Sequence, residues 1–314
     1  MNTPKALTIG SAMVDIITII ADDDVERVTL SNATTSFLLV EPGRKIEAES
    51  ITIHVGGGAV NVAVSMQRQG ADVEVLSKLG TDINADRIRA HFKREGLSPA
   101  RIVVSEDLPT GSSVMIAAHD RDAAIYTQRG SNTALTQGDV FDCDMESYDL
   151  VYVSPLSKES ADCFIAAIAA ARQANCFTVA TPGIRQITTR APEVLSVMSQ
   201  LDLMVMNMRE AEALTPALTT KCGECPVLMR SANREKDTDM PVRLRHGLQL
   251  ADEHIPLQWV MSAMLSTGLK YVALTDGANG SFLSDGSQIL HCPVHHVPVM
   301  GTAGAGDAYC STLA

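Results

Sequence analysis

Several ordinary signatures are missing from this sequence, and each absence closes a class of function. Aromatic residues make up only 4% of the 314 positions, with one tryptophan, so little is available for a slot that stacks flat rings. Basic residues do not cluster, and the net charge is −12, which opposes a nucleic-acid surface. No apolar run is long enough to span a bilayer; the first one is interrupted at Asp15 and lacks a small-residue cleavage site, so a cytoplasmic protein is predicted without a membrane partner. No Gly-Lys-Ser/Thr follows any glycine loop, which excludes a Walker-type phosphate loop. The dinucleotide fingerprint fails as well, because its third glycine would fall on Asn61. Seven cysteines, an odd number scattered from Cys143 to Cys310, fit reduced core thiols better than a disulfide framework.

What is present is a globular composition, 46% hydrophobic and 20% charged, enough for one large domain with an accessory piece. After residue 150, short apolar runs at Val151–Val153, Phe177–Ala180, Leu203–Met206 and Tyr271–Leu274 alternate with helical-period segments such as Ser160–Arg172. That alternation predicts a parallel sheet with helices on both faces. The first half differs: Ser36–Ile53 and Ser112–Tyr126, the second bent at Asp120-Arg121-Asp122, read as β-ribbons with no helix to cover them. They are expected to form a small projecting sheet, either a lid over a site or a dimer surface.

Two glycine clusters carry the chemistry. Gly304-Ala305-Gly306 precedes a helix-compatible stretch, so successive N–H groups and a helix dipole converge on one anion, and phosphate suits them. Asp307 at that helix start repels the phosphate, and its natural partner is a proton on a group attacking it. The other reading of this short match is a turn capped by Asp307. Gly56-Gly57-Gly58, followed by Asn61 one turn into a helix, suits close approach of a polyhydroxylated ligand, or else close helix–sheet packing.

Read together in order, these clusters resemble the ribokinase-like (PfkB) carbohydrate kinase family. The resemblance runs from Ile9–Asp15 through Gly56–Asn61, Lys78–Asp82, Pro109-Thr110-Gly111, Gly130-Ser131-Asn132, Asn207–Glu210 and Thr275–Gly280 to Gly301–Asp307. It implies a three-layer α/β/α Rossmann-like fold with a mostly parallel sheet. The core would take residues 1–15, 55–102 and 127–314, and the β lid residues 16–54 and 103–126. It implies ATP-dependent transfer of the γ-phosphate to a sugar hydroxymethyl group. Asp307 would be the catalytic base, Gly304, Ala305 and Gly306 the anion hole, and Asp15, Gly57, Gly58 and Asn61 the groups holding sugar hydroxyls. Asn207 and Glu210, spaced i to i+3, would organise Mg²⁺ through water, with an ordinary capped helix start as the other reading. Thr275, Gly277 and Gly280 would line the nucleotide loop. A homodimer through the lid is the matching partner expectation. The alternatives are a nucleoside kinase of the same fold and a sugar-binding homologue without turnover.

The sequence also departs from the family pattern. Gly301 stands where relatives carry an Asp that helps build a monovalent-cation site, which leaves that cation open, and Thr181 stands where many carry Asp or Asn. Relatives continue past the position of Ala314 through elements that complete the nucleotide pocket, so the chain reads as truncated. Pro216–Gly247 reads as an inserted loop. Cys222 and Cys225, with His291, Cys292, His295 and His296, form a zinc pattern that lacks a second pair at the usual spacing. Trp259 and the 14 methionines read as core filling. Met115, Tyr126 and Arg129 are candidates for selecting the sugar by position alone.

Overall fold

The structure is a computed structural model; it describes residues 3–21, 26–29, 36–39, 43, 45–117, 123–223, 225–228, 240–297 and 303–314. Gly301, Thr302, Glu224 and the bend at Asp120, Arg121 and Asp122 lie outside the described residues. In chain order the elements begin with β1 (Lys5–Ile9), β2 (Met13–Ile20), β3 (Glu26–Thr29), β4 (Ser36–Leu39), β5 (Ala48–Gly56), α1 (Gly58–Arg68), β6 (Asp72–Leu79), α2 (Ile83–Glu95) and β7 (Ile102–Val104). They continue with β8 (Gly111–Ala117), β9 (Ala123–Gln128), α3 (Gln137–Phe141), β10 (Leu150–Val153), α4 (Cys163–Gln173), β11 (Phe177–Ala180), α5 (Gly183–Val197), β12 (Leu203–Asn207) and α6 (Met208–Cys222). The last are α7 (Val242–His246), β13 (Leu248–Leu250), β14 (Glu253–Ile255), α8 (Leu257–Ser266), β15 (Tyr271–Thr275), β16 (Ser281–Ser284), β17 (Ile289–Cys292) and α9 (Ala305–Leu313).

The main sheet has the order β17-β16-β15-β12-β11-β10-β1-β6-β7. It is parallel from β15 to β7, with β16 and β17 antiparallel at one edge. Both faces are buried because side chains alternate along each strand. Val151, Val153, Met204 and Met206 enter one core with α3, α4, α5, α6 and α8. Tyr152, Leu203 and Val205 enter the other with α1, α2 and α9. Full burial of each such aliphatic side chain contributes roughly 1.5–3 kcal/mol, so the two cores together fix the three layers. Local signals agree with the packing: the Asp82 carboxylate caps α2 by accepting from the Ala85 N–H, and Gly96 ends the helix at φ 75°.

A second sheet, β5-β2-β8-β9, stands apart from the first. Met13 pairs with both Gly56 and Gly111, and Ser112 with Gln128, so all four strands join the main body at one end. Buried Asn132 fixes that junction. Its Oδ1 accepts from the Ala12 N–H at 3.0 Å and its Nδ2 donates to the Ala12 carbonyl at 2.9 Å, which satisfies the chain where it crosses between sheets.

Three expectations are revised. Ser36–Ile53 is not one ribbon: β4 pairs with β3, whereas β5 pairs along nearly its whole length with the eight-residue β2. The longer apolar strand offers the longer ladder. Pro216 does not open a loop, because α6 continues to Cys222 around it. Ala211, Leu214, Thr215 and Leu218 bury one face of that helix, and this burial outweighs the one hydrogen bond that proline removes. Of the seven free cysteines only Cys143, Cys163, Cys176 and Cys310 lie in the core; Cys222 and Cys292 are exposed. Among the described residues no three His, Cys, Asp or Glu side chains converge as a metal cluster, and no helix is long and apolar enough to cross a membrane. Trp259 packs against the larger core.

Candidate active site

From β1 the chain winds through α1 to β6 on one side, while β10 leads through α4 to β11 on the other. An open α/β sheet leaves its crevice at such a reversal, beyond the carboxyl ends of the strands. The lid joins there, and two helix starts meet there. α1 begins after Gly57, whose φ of 103° and lack of room both demand glycine: a Cβ would lie 2.4 Å from the Ser11 carbonyl oxygen. Gly56 faces the same crevice, and a Cβ on it would fall 2.5 Å from Asp15 Oδ2. The space left by that missing methyl is what admits the Asp15 carboxylate, which also accepts from the Ser113 hydroxyl.

α9 starts at Ala305 behind Gly304, which sits at φ 79° and offers no side-chain cap. The first internal bond runs from the Ala308 N–H to the Gly304 carbonyl, 2.9 Å, so the N–H groups of Ala305, Gly306 and Asp307 point out of the helix end. Among the described residues, nothing outside its own helix lies within 4 Å of where a Cβ on Gly306 would sit; its bareness serves no packing need there and leaves a cradle that a side chain would fill. Asp307 follows directly. Asn61 Nδ2 donates to its Oδ2 at 2.7 Å, and the two helices are stitched again one turn on, where Ser311 donates to Ser65 at 2.6 Å. Below them Cys310 Sγ lies 3.9 Å from Thr181 Oγ1, which accepts from the Tyr152 hydroxyl at 3.4 Å, tying α9 to β10 and β11. Burial pushes the Asp307 carboxyl above the usual carboxylate range, and the Asn61 hydrogen bond pulls it partly back.

A cavity of about 580 Å³ opens in front, walled by Asp15, Gly56, Asn61, Met115 and Gly304 among others. Gly57 and Gly58 make the turn behind it, and the Gly58 N–H is taken by Ser11 Oγ at 3.1 Å. Tyr126 pairs with Val114, one residue out of step with Met115, so it occupies the opposite face of the lid. The sequence placed Asn61 on a ligand without its bond to Asp307, and Gly56 in a ligand-approaching cluster without its fit against Asp15; Ser113 it did not single out. One signal was legible: Asn61, Val64, Ser65 and Arg68 repeat at helical spacing, and all four line the cavity.

The remaining expected residues form a second group, away from that wall. Asn207 and Glu210 build a reciprocal capping box, with the Glu210 N–H donating to Asn207 Oδ1 at 3.0 Å and the Asn207 N–H to Glu210 Oε2 at 2.9 Å. Glu210 is nevertheless buried, and that burial holds its carboxyl above the ordinary range against the opposing Asn207 bonds. Among the described residues no cation pairs with this buried carboxylate and no cluster of three ligating side chains surrounds it, so a divalent ion here would have to be reached through water. Thr275 lies beside Asn207 in register at the end of β15. Among the described residues nothing lies within 4 Å of a Cβ on Gly277, at φ 52°, whereas Gly280 is required by packing, since a Cβ would sit 2.2 Å from the Cys292 carbonyl oxygen. Arg243 clamps the adjacent Asp276 with two bonds of 2.9 and 3.0 Å, a contact the sequence did not announce.

The pfkB family carbohydrate kinase profile matches residues 9–227. The ribokinase of Staphylococcus aureus (strain COL) is 24% identical over 284 residues, covering 89% of this chain and 81% of its own. The solved ribokinase of Cryptococcus neoformans var. grubii serotype A in complex with ADP superposes with a TM-score of 0.67 at 18% identity, over 98% of this chain and 85% of that one. The nucleoside kinase of Methanocaldococcus jannaschii, an archaeal member of the ribokinase family, gives 0.67 at 16% identity, over 98% and 83%. These two structures share the fold: a mostly parallel sheet between helices, with a small separate sheet. With the profile spanning well over half its length, the chain belongs to the pfkB family of carbohydrate kinases, phosphotransferases with an alcohol group as acceptor.

Proposed function

We propose that this protein transfers the γ-phosphate of ATP to the hydroxymethyl group of a sugar, with Asp307 as the general base. One observation carries the reading. A half-buried carboxylate, Asp307, sits on an uncapped helix start and is held by Asn61, which lines a cavity whose wall offers a second carboxylate, Asp15. Asp15 and Asn61 bind hydroxyls of the acceptor. Asp307 takes the proton of the hydroxymethyl as its oxygen attacks the γ-phosphorus. The N–H groups of Ala305 and Gly306 hold the phosphoryl oxygens as charge develops there. Asn207, Glu210, Thr275 and Gly277 serve the nucleotide end, and Mg²⁺, when bound, neutralises phosphate charge beside Glu210. A nucleoside acceptor is the second reading, but among the described residues the cavity wall carries no aromatic ring beyond the imidazoles of His54 and His91 to stack a base. ADP release from Mg·ATP, measured across ketoses, aldoses, sugar acids, sugar phosphates and nucleosides, tests the proposal. Stimulation by a sugar supports it, and stimulation by nucleosides alone refutes it.

Two further results are expected. Gly306→Ala places a methyl in the empty cradle and should leave Tm within a degree or so while lowering kcat/KM for ATP at least about tenfold; an unchanged kcat/KM would remove the anion hole from the account. The base must be ionised, so the acid limb of the pH–rate profile should lie above the usual carboxylate range. Asn61→Ala deletes the contact that favours the ionised form and should move that limb to still higher pH; movement the other way would contradict the assignment. The outer face of the lid, where Ile51, Ile53, Val114 and Tyr126 are exposed, is proposed to pair with a second copy, and light scattering should give twice the chain mass, a mass that falls on Ile51→Asp.

A further inference from the structure

The cavity does not end where the acceptor hydroxyl would lie. It runs on along α1, past Val64 and Ser65, to Arg68, Gln69 and His91. From Asn61 to Arg68 the helix rises about 10 Å. The two ends differ in chemistry. Asp15 lines the inner end, with Asp307 behind Asn61. At the outer end stand the Arg68 guanidinium and the His91 ring, and among the described residues no carboxylate lines it, although the chain as a whole carries a net charge of −12. Arg68 uses Nε and Nη2 on Glu95, at 2.9 Å each, and keeps the other N–H groups of its fork. His91 accepts at Nδ1 from Arg94, which leaves its ring proton on Nε2 as a donor. Burial and the Arg94 charge both hold the His91 imidazole in this neutral, donating form. Gln69 spends its amide N–H groups on Ser65 at 3.1 Å and Thr312 at 3.5 Å, so it frames this end and does not donate into it.

We infer that the acceptor carries an anionic group, a phosphate or a carboxylate, turned toward the Arg68 end of the cavity and away from the hydroxyl that Asp307 deprotonates, and that Arg68 and His91 select it. This rests on the kinase reading above and narrows it to sugar phosphates or sugar acids. A free pentose would leave the outer donors facing water, with nothing to distinguish it from other small polyols. Arg68 does the selecting; Glu95 aims its fork and moderates its charge.

The test is ADP release by the full chain with Mg·ATP and fructose 1-phosphate, fructose 6-phosphate or gluconate, against fructose, ribose and adenosine. At least one anionic acceptor should show a KM about tenfold or more below its neutral counterpart. Whether the phosphates or the acid prevails names the group. Arg68→Met should raise the anionic KM about tenfold more than the neutral one, and Glu95→Gln should lower it. Equal KM values for charged and neutral sugars, or an equal effect of Arg68→Met on both, would overturn the inference and leave the kinase reading standing. Should no acceptor release ADP, that reading fails, and melting temperatures decide the inference. A rise with the anionic sugars that Arg68→Met abolishes sustains it, and no such difference refutes it.

Discussion

Asp307→Asn is expected to lower kcat by about a thousandfold or more while leaving the chain folded and able to bind sugar. The substitution is isosteric, and the new side-chain carbonyl still accepts the Asn61 bond of 2.7 Å, so the geometry of α1 against α9 survives. What disappears is the capacity to take a proton. An amide cannot act as the base, and a base of this kind accounts for about a hundredfold to ten-thousandfold in rate. The linked stability effect has the opposite sign. The carboxyl titrates higher in the folded chain than in the unfolded one, so between those two values the folded state binds more protons, and stability falls as pH rises. Above that window wild type bears a half-buried charge that the amide lacks, and the variant should melt no lower than wild type at neutral pH. A loss of activity accompanied by a lower Tm would point to misfolding; less than about tenfold loss in kcat would remove Asp307 from its role.

Gly57→Ala should destabilise the chain by about 3 kcal/mol or more, because two costs coincide. At φ 103° an L-residue is strained, and its Cβ would lie 2.4 Å from Ser11 O and 3.0 Å from the Cα of Ala12, both backbone atoms that no rotamer change can clear. For a chain of this size the melting temperature should fall by roughly 6–10 °C. The displacement acts on the crossing that carries Asp15, so surviving protein should also show a raised KM for the acceptor. Gly70→Ala is the contrast: its φ of 102° is equally strained, but among the described residues nothing lies within 4 Å of the added methyl. Its cost should be backbone strain alone, with KM unchanged. Equal effects of the two on Tm and KM would refute the steric argument.

Strands and helices of the second half were legible because a parallel sheet buried on both faces needs short continuous apolar runs, such as Leu203–Met206. The helix start at Gly304 was legible from composition, since few arrangements other than a ligand cradle or a turn call for two glycines before an aspartate. Pairing within the lid was not. Which strand β5 joins depends on ladder length, a tertiary quantity, and β2 won over β4. Pro216 misled because its local penalty was visible and the burial of Leu214 and Leu218 around it was not. The site shows the same division. Asp15, Asn61 and Asp307 stand out by type, yet their partners Ser113 and Gly56 lie far away in sequence or look like punctuation. Arg68 and His91 belong to different helices, and only the fold lays them along one cavity.

The central claim is that Asp307 directs phosphate onto a hydroxymethyl oxygen, and the position of the transferred phosphate tests it most directly. The product of a turnover with Mg·ATP and the preferred acceptor is examined by phosphorus–proton correlation NMR. The account predicts one new phosphate ester per ADP released, its phosphorus coupled to the two protons of a CH₂ group. ADP formed without any new ester, or an ester whose phosphorus couples to a ring CH, would contradict it.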